Sequence, residues 1–384
     1  MISLTISPNF MNYTLPKNFP ENGLGDEVAF ELISRIVRDK SANLGSAVSF
    51  AHMDPPPPKV AIETTRLNAQ YNQNLLHPDL SPFATEAESI VIDWIADAFQ
   101  MRNGHMCAGS TIANLTALWA AREHGAKSIV CSADAHLSVA KSAHILGLPC
   151  KKVATDKNGK MDVQALPDLS NAALVLTAGT TGRGAIDPLS GWHLEASKWV
   201  HVDAAWAGPL RLSRYRALLD GIESADSVAI SAHKWLFQPK DSAICLFKAA
   251  ESERSVSFSG SYLATPNVGV QGSRGAAGIT LLATFLAMGQ AGLDQKLHQC
   301  IKVAEQVAIG LDEFETTELC CMPQTGVFNW RPVFGVTEQL VQDLKGVSSK
   351  VMIEGQPWMR NVAANPHADA KKILNRIKTI VSRL

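Results

Sequence analysis

Between residues 104 and 247 the chain alternates short apolar runs with stretches whose apolar positions recur at helical spacing. The runs at 128–131, 152–154, 174–177, 200–203, 228–231 and 243–247 suit strands buried on both faces. Strands of this kind separated by helices predict a mostly parallel sheet in an α/β domain. In such a sheet ligands bind beyond the carboxyl ends of the strands, where Thr177, Asp203 and the run Ser231-Ala232-His233-Lys234 stand.

Outside this region the pattern is helical at first. Val28, Leu32, Ile33, Ile36 and Val37 mark an amphipathic helix over 26–38, and Pro55 to Pro58 then interrupt regular structure. Thr85-x-x-Glu88 reads as a capping box opening a helix with Ile90, Val91, Trp94, Ile95, Ala98 and Phe99 on its apolar face. After a Gly/Ser/Pro/Asn-rich loop at 258–275, helices are expected over 278–292 and 294–314. The tail changes style, with short strands near 318–322, 327–330 and 350–353 and helices near 337–346 and 367–383. The implied division is an N-terminal arm and helix (1–50), a large domain (51–292) and a smaller C-terminal α/β domain (293–384).

Charge narrows the function classes. Thirty-five basic residues against 36 acidic ones leave a net charge of -1, no footprint for nucleic acid or an anionic membrane. The longest uncharged apolar stretch, 279–289, is short of the roughly 18 to 20 residues that span a bilayer. Residues 1–12 lack the basic-then-apolar order of a secretory leader, and seven cysteines without CxxC spacing suit reduced thiols, so a cytoplasmic location is expected. Neither HxxxH nor CxxH spacing suggests a metal site, there is no Gly-x-Ser-x-Gly elbow, and Gly182-x-Gly184 leads into Asp-Pro rather than a dinucleotide-binding helix.

Four features at the strand ends carry chemistry. Gly109-Ser110-Thr111 precedes the helix over 112–122, an arrangement that serves either as an ordinary helix cap or as a phosphate site. Asp203 closes an apolar strand; a carboxylate there needs a cationic or protonated partner, met by a pyridinium nitrogen, an internal ion pair or a helix start. His136 follows another strand, placed to stack on a flat ring or to serve as a structural hydrogen-bonder. Lys234 is followed by Trp235, Leu236 and Phe237, apolar surroundings of the kind that depress an amine pKa and make a Schiff-base nucleophile. Together these are the parts that hold pyridoxal phosphate.

The order of motifs is specific. Gly109-Ser110-Thr111-x-x-Asn114-Leu115, Ala135-His136-Leu137-Ser138-x-x-Lys141, Thr177-Ala178-Gly179-Thr180-Thr181-x-x-Gly184-Ala185-Ile186-Asp187-Pro188, His201-Val202-Asp203-Ala204-Ala205-Trp206 and His233-Lys234-Trp235 resemble the group II pyridoxal-phosphate-dependent amino-acid decarboxylases. The resemblance runs over about residues 45–295 and implies the aspartate-aminotransferase-like fold (fold type I), with a large seven-stranded-type sheet domain and a small C-terminal domain. It implies that Lys234 holds the cofactor as an internal aldimine, His136 stacks on its ring, Asp203 pairs with the ring nitrogen and Ala205 lies against the opposite face. Ser110, Thr111, Ser231 and His233 would hold the phosphate, with Thr177 near the ring or the substrate carboxylate. The implied reaction is decarboxylation of an L-amino acid through a quinonoid carbanion, in a homodimer with its sites at the subunit interface.

Some positions depart from the pattern. The loop that in many relatives carries a proton-donating tyrosine is short here, with Tyr262 as its one candidate, and Ser273-Arg274 keeps one arginine where many relatives carry two. His52, Asn72 and Arg360 are candidates to face the substrate, though a structural ion pair suits Arg360 better. The same residues also suit another pyridoxal-phosphate lyase or an aminotransferase, and the short loop is compatible with a cofactor-binding protein that has lost catalysis.

Overall fold

The computed structural model describes residues 15–383, so the start of the expected N-terminal arm lies outside the described residues. The chain forms two compact units, Met1–Asn43 and Leu44–Leu384. In the first, helix α1 (Asp26–Lys40) carries Asp26 and Glu27 in its first turn and Arg38 and Lys40 in its last, each sign where the helix dipole favours it. The divide falls at Asn43 rather than residue 50, because Phe50 belongs to the second unit. Its N–H donates to Gly346 O (3.0 Å) and its carbonyl accepts the Val362 N–H (2.8 Å).

In the second unit α2 (Lys59–Tyr71) follows the proline run directly, and α3 (Pro82–Phe99) comes next. The expected capping box is not formed. Helix α3 starts earlier, with Ser81 at the N-cap and Pro82 in its first turn, so Thr85 is already inside it and donates back to Ser81 O (3.0 Å). Glu88 is consequently turned inward and buried.

Seven strands form one sheet: β1 (Asn103–Cys107), β2 (Ser128–Ser132), β3 (Cys150–Val153), β4 (Ala172–Thr177), β5 (Trp199–Asp203), β6 (Ser227–Ile230) and β7 (Ala243–Phe247). Their order is β1-β7-β6-β5-β4-β2-β3. Only β7 runs against its neighbours; the pairs from β6 across to β3 are parallel. Every residue of β4 and β5 is buried, the physical reason their sequences read as unbroken apolar runs. Strand β1 was not expected, since Asn-Gly-His-Met-Cys has neither alternation nor β-branched residues. Its pairing with β7 holds it in place, at an approach so close that a Cβ on Gly104 would fall 2.6 Å from Cys245 O.

The loop after β7 carries a short antiparallel pair, β8 (Ser257–Phe258) and β9 (Asn267–Val268). The two expected helices then merge into one run, Ala277–Asp312, interrupted at Gly289 (φ 58°, ψ -178°) rather than near residue 293. By length and composition this run is apolar enough to cross a bilayer. In the fold it buries Leu281, Leu293, Leu297, Ile301, Val307 and Leu311 in the protein core. The small domain is an antiparallel sheet of β10 (Thr317–Leu319), β11 (Val327–Pro332), β12 (Ser349–Ile353) and β13 (Gln356–Val362), in the order β10-β11-β13-β12.

Two tryptophans tie the sheet ends to this domain. Trp206, just beyond β5, and Trp235, just beyond β6, pack with ring centroids 4.1 Å apart. Their indole N–H groups donate to Thr325 O (2.8 Å) and Ala363 O (3.1 Å).

Candidate active site

Strands β4, β5 and β6 end side by side, with Thr177 in register with Asp203 and Asp203 with Ala229. The chain leaves β6 in a tight turn, where Lys234 N–H donates to Ser231 O (3.2 Å) and Phe237 N–H to Lys234 O (2.8 Å). Trp235, Leu236 and Phe237 are buried behind it. Burial pushes the Lys234 amine below the ordinary lysine range; Asp203 and Asp54 oppose that shift, while Lys240 and Arg360 add to it. The neutral, nucleophilic amine is thereby favoured.

Asp203 is 3% exposed. Its Oδ1 accepts the Ala205 N–H (3.1 Å) and its Oδ2 the Asn114 amide (2.9 Å). Among the described residues it forms no ion pair, so the strand-end carboxylate faces the site without a protein cation, and the internal-ion-pair alternative falls away. Ala205 stands two residues on and is 7% exposed. His136 caps helix α5 (Leu137–Leu146), its Nδ1 accepting the Ser138 N–H (3.2 Å). Burial lowers its pKa, Asp203 opposing and Lys234 assisting, which leaves a neutral ring.

The other end of the site is built for an anion. Helix α4 (Ser110–Glu123) starts behind Gly109 (φ 149°), whose carbonyl takes the Ile112 and Ala113 N–H groups (3.0 and 3.1 Å). The Ser110 and Thr111 N–H groups at the helix start have no intrahelical acceptor, and a Cβ on Gly109 would meet nothing within 4 Å. Thr177 Oγ1 and Ser231 Oγ are buried without a hydrogen-bond partner. His233 donates from Nδ1 to Ser242 O (3.0 Å), and burial lowers its pKa. Its Nε2 therefore donates to a phosphate only when the ring is protonated.

Arg360 is held by carbonyls, not by the ion pair its sequence context allowed: its terminal nitrogens donate to Thr181 O (2.9 Å) and Ala51 O (3.3 Å), and its Nε is buried without a partner. The remaining candidates stand at the surface of the chain. His52 is exposed. Asn72 is exposed in a left-handed C-cap (φ 44°), lining a 410 Å³ cavity with Gln238, Lys240, Ser242 and Arg274. Tyr262 is 71% exposed on its loop. Two residues beside the site escaped sequence reasoning. Asn114, quoted above only as part of a motif, proves to be the partner of Asp203; Asp54, at the start of the proline run, pairs with Lys240.

A nucleophilic lysine, a buried carboxylate, a neutral histidine and an anion cradle at the strand ends of a mostly parallel sheet define a site for a phosphorylated aldehyde cofactor with a basic ring nitrogen. Residues 8–331 match the family model described as the pyridoxal-dependent decarboxylase conserved domain, and the chain belongs to that family. It is 32% identical over 349 residues to L-2,4-diaminobutyrate decarboxylase of Rhizobium meliloti (strain 1021), an overlap of 82% of this chain and 70% of the relative. It is 29% identical over 351 residues to aspartate 1-decarboxylase of Aliivibrio fischeri (strain ATCC 700601 / ES114), covering 75% and 64%. In fold it is similar to the crystal structure of Oryza sativa TDC with PLP and tryptamine, at a TM-score of 0.86 and 19% identity over 98% of this chain and 92% of that one. The fold is thus that of the pyridoxal-phosphate-dependent decarboxylases, fold type I, and the cofactor is pyridoxal 5'-phosphate. The residues present fit it: the unpartnered Thr177 and Ser231 hydroxyls and the open helix start suit its polar groups, and Asp203 its ring nitrogen.

Proposed function

We propose that this chain releases CO2 from an L-amino acid, with pyridoxal phosphate held on Lys234. The observation that carries the reading is the convergence of Lys234, Asp203 and His136 at the strand ends of one sheet, in a chain of the pyridoxal-dependent decarboxylase family. When bound, the cofactor supplies an electron-withdrawing ring that accepts the electrons of the bond being broken. Lys234 contributes an amine kept partly neutral by burial. Asp203 would pair with the ring nitrogen, and the neutral His136 would cover one ring face opposite Ala205. Ser110, Thr111 and Ser231 would hold the phosphate, joined by His233 when its ring is protonated.

Arg360 binds the substrate carboxylate. Its unpartnered Nε and its electrostatic influence on Lys234 support this role, and the two carbonyls fix its guanidinium without neutralising it. The buried Trp235, Leu236 and Phe237 keep water from the lysine. A homodimer and a cytoplasmic setting belong to the same proposal, the first supported by the family resemblance and the second by cysteines that are all free thiols.

The test is to titrate the full chain with pyridoxal phosphate, follow the visible absorbance and its loss on borohydride, and measure CO2 across amino acids without added keto acid. A coloured parent, a colourless Lys234→Ala variant and stoichiometric CO2 are expected. A parent that stays colourless with cofactor refutes the reading, and dependence on a keto acid converts it to an aminotransferase.

A further inference from the structure

Behind the cofactor-facing groups lies a chain of polar side chains that ends on Asp203 and His136 and whose other members the proposed reaction does not itself use. Asn114, Ser138, His201, Asp203 and Ser227 are all buried, at most 3% exposed. Asn114 Nδ2 lies 2.9 Å from Asp203 Oδ2 and 2.8 Å from Ser138 Oγ, and Asn114 Oδ1 lies 3.0 Å from His201 Nε2. His201 Nδ1 lies 2.9 Å from Ser227 Oγ, which also accepts the Trp199 indole N–H (3.0 Å). At the far end Ser138 Oγ lies 2.8 Å from His136 Nδ1.

The direction of every bond follows from one constraint. A carboxylate only accepts, so Asn114 must present its NH2 to Asp203, and its second amide hydrogen then goes to Ser138. The Asn114 carbonyl is left facing His201, whose Nε2 must carry the proton. His201 Nδ1 is consequently an acceptor and takes the Ser227 hydroxyl hydrogen, while Ser227 takes the Trp199 N–H. Ser138, its oxygen occupied by the amide, donates its own hydrogen to His136 Nδ1. That ring nitrogen also accepts the Ser138 backbone N–H, so the His136 proton sits on Nε2. Within the buried chain from Trp199 to Ser138 each donor finds an acceptor, and burial keeps the His201 ring neutral by lowering its pKa to about 4.

We infer that Asn114 is a positioning residue acting through two groups at once: its amide, oriented by His201, holds the Asp203 carboxylate and turns the Ser138 hydroxyl hydrogen onto His136 Nδ1. The inference rests on the cofactor reading only for its consequence, since the proton order belongs to the protein alone. Reversing the Asn114 amide would set its oxygen against the Asp203 carboxylate and move the His201 proton to Nδ1. One interior amide therefore ties the Asp203 carboxylate to the proton order of His201.

The experiment uses the full chain labelled with 15N-histidine, imidazole resonances assigned by His136→Asn and His201→Gln, alongside cofactor titration. Both His136 and His201 are expected neutral with the proton on Nε2. In Asn114→Asp, a near-isosteric change that removes the amide donors, His136 is expected to keep its proton on Nε2, held there by the Ser138 backbone N–H, while the Asp203 carboxylate loses its amide partner. Cofactor binding should weaken by about tenfold to a hundredfold, as for loss of a hydrogen bond to a charged group. His201→Gln, which keeps a donor for the Asn114 carbonyl, should retain affinity better than His201→Leu. A proton on Nδ1 of either histidine in the parent overturns the inference, as does an Asn114→Asp protein that binds cofactor within about twofold of the parent. If Asn114→Asp does not fold, the parent tautomers decide. A parent that binds no cofactor fails the functional reading and leaves the tautomer test standing.

Discussion

Arg274 and Glu88 form a pair that locks the loop after β7 to helix α3, and its removal has a calculable effect. Arg274 reaches both Glu88 oxygens through its two terminal nitrogens, and Glu88 Oε1 also accepts the Met106 N–H (3.1 Å). The loop backbone follows: Leu75 N–H donates to Arg274 O (3.0 Å), and Arg274 N–H donates to Asn74 Oδ1 (3.3 Å). Breaking a buried pair by removing one partner costs about 3–5 kcal/mol; the 21% exposure of the Arg274 side chain reduces this to roughly 2–4 kcal/mol. If that energy holds the loop closed, Arg274→Met should speed exchange of the Leu75 amide on the order of 30- to 1000-fold, read by hydrogen-exchange mass spectrometry. Exchange in β4 should not change, because the opening is local. Adding Glu88→Gln, which keeps an acceptor for Met106 while removing the stranded charge, should recover part of the loss. An Arg274→Met protein whose Leu75 amide exchanges within about threefold of the parent would show that the pair does not hold the loop.

Two other perturbations follow from buried features. Burial raises the Asp187 pKa to about 6, although its carboxylate accepts the Met161 and Thr177 N–H groups (2.7 and 2.8 Å). A raised pKa means the folded protein binds the proton more tightly, so Asp187's contribution is full below about pH 3.8 and is lost as pH rises through 6, a swing of about 3 kcal/mol. Stability measured from pH 4 to 7 should therefore fall relative to Asp187→Asn, and parallel profiles would refute the assignment. Gly179→Ala should destabilise by on the order of 2–4 kcal/mol, since the backbone holds φ 92° and the new Cβ would fall 2.7 Å from the Trp206 ring. A thermal midpoint equal to the parent's would contradict that.

What was legible in the sequence follows how local the cause is. The interior strands announce themselves because burial on both faces demands apolar residues throughout, and Thr177, Asp203 and Ser231 end those runs. Strand β1 is invisible because its reason for existing is β7, 144 residues away in the register of Asn103 with Phe247; the interruption at Gly289 is a backbone event one glycine does not announce. Thr85-x-x-Glu88 misled because Ser81-Pro82 starts the helix first, freeing Glu88 for Arg274. Asn114 escaped for the same reason as β1: its partners Asp203 and His201 are 89 and 87 residues away, and nothing near it in the chain reveals that they meet.

The packed pair Trp206 and Trp235 gives the site a place in time. A ribosome delivers Lys234 early, whereas the Ala363 carbonyl that receives the Trp235 indole arrives 128 residues later. At about 5 to 20 residues per second that interval is roughly 6 to 26 seconds. Throughout it, the lysine and its strand exist without the anchor that fixes their final packing. The cofactor pocket is accordingly completed well after its lysine is made, and a nascent chain stopped before Ala363 carries the sheet residues with the Trp206 anchor at Thr325 but without the Trp235 anchor.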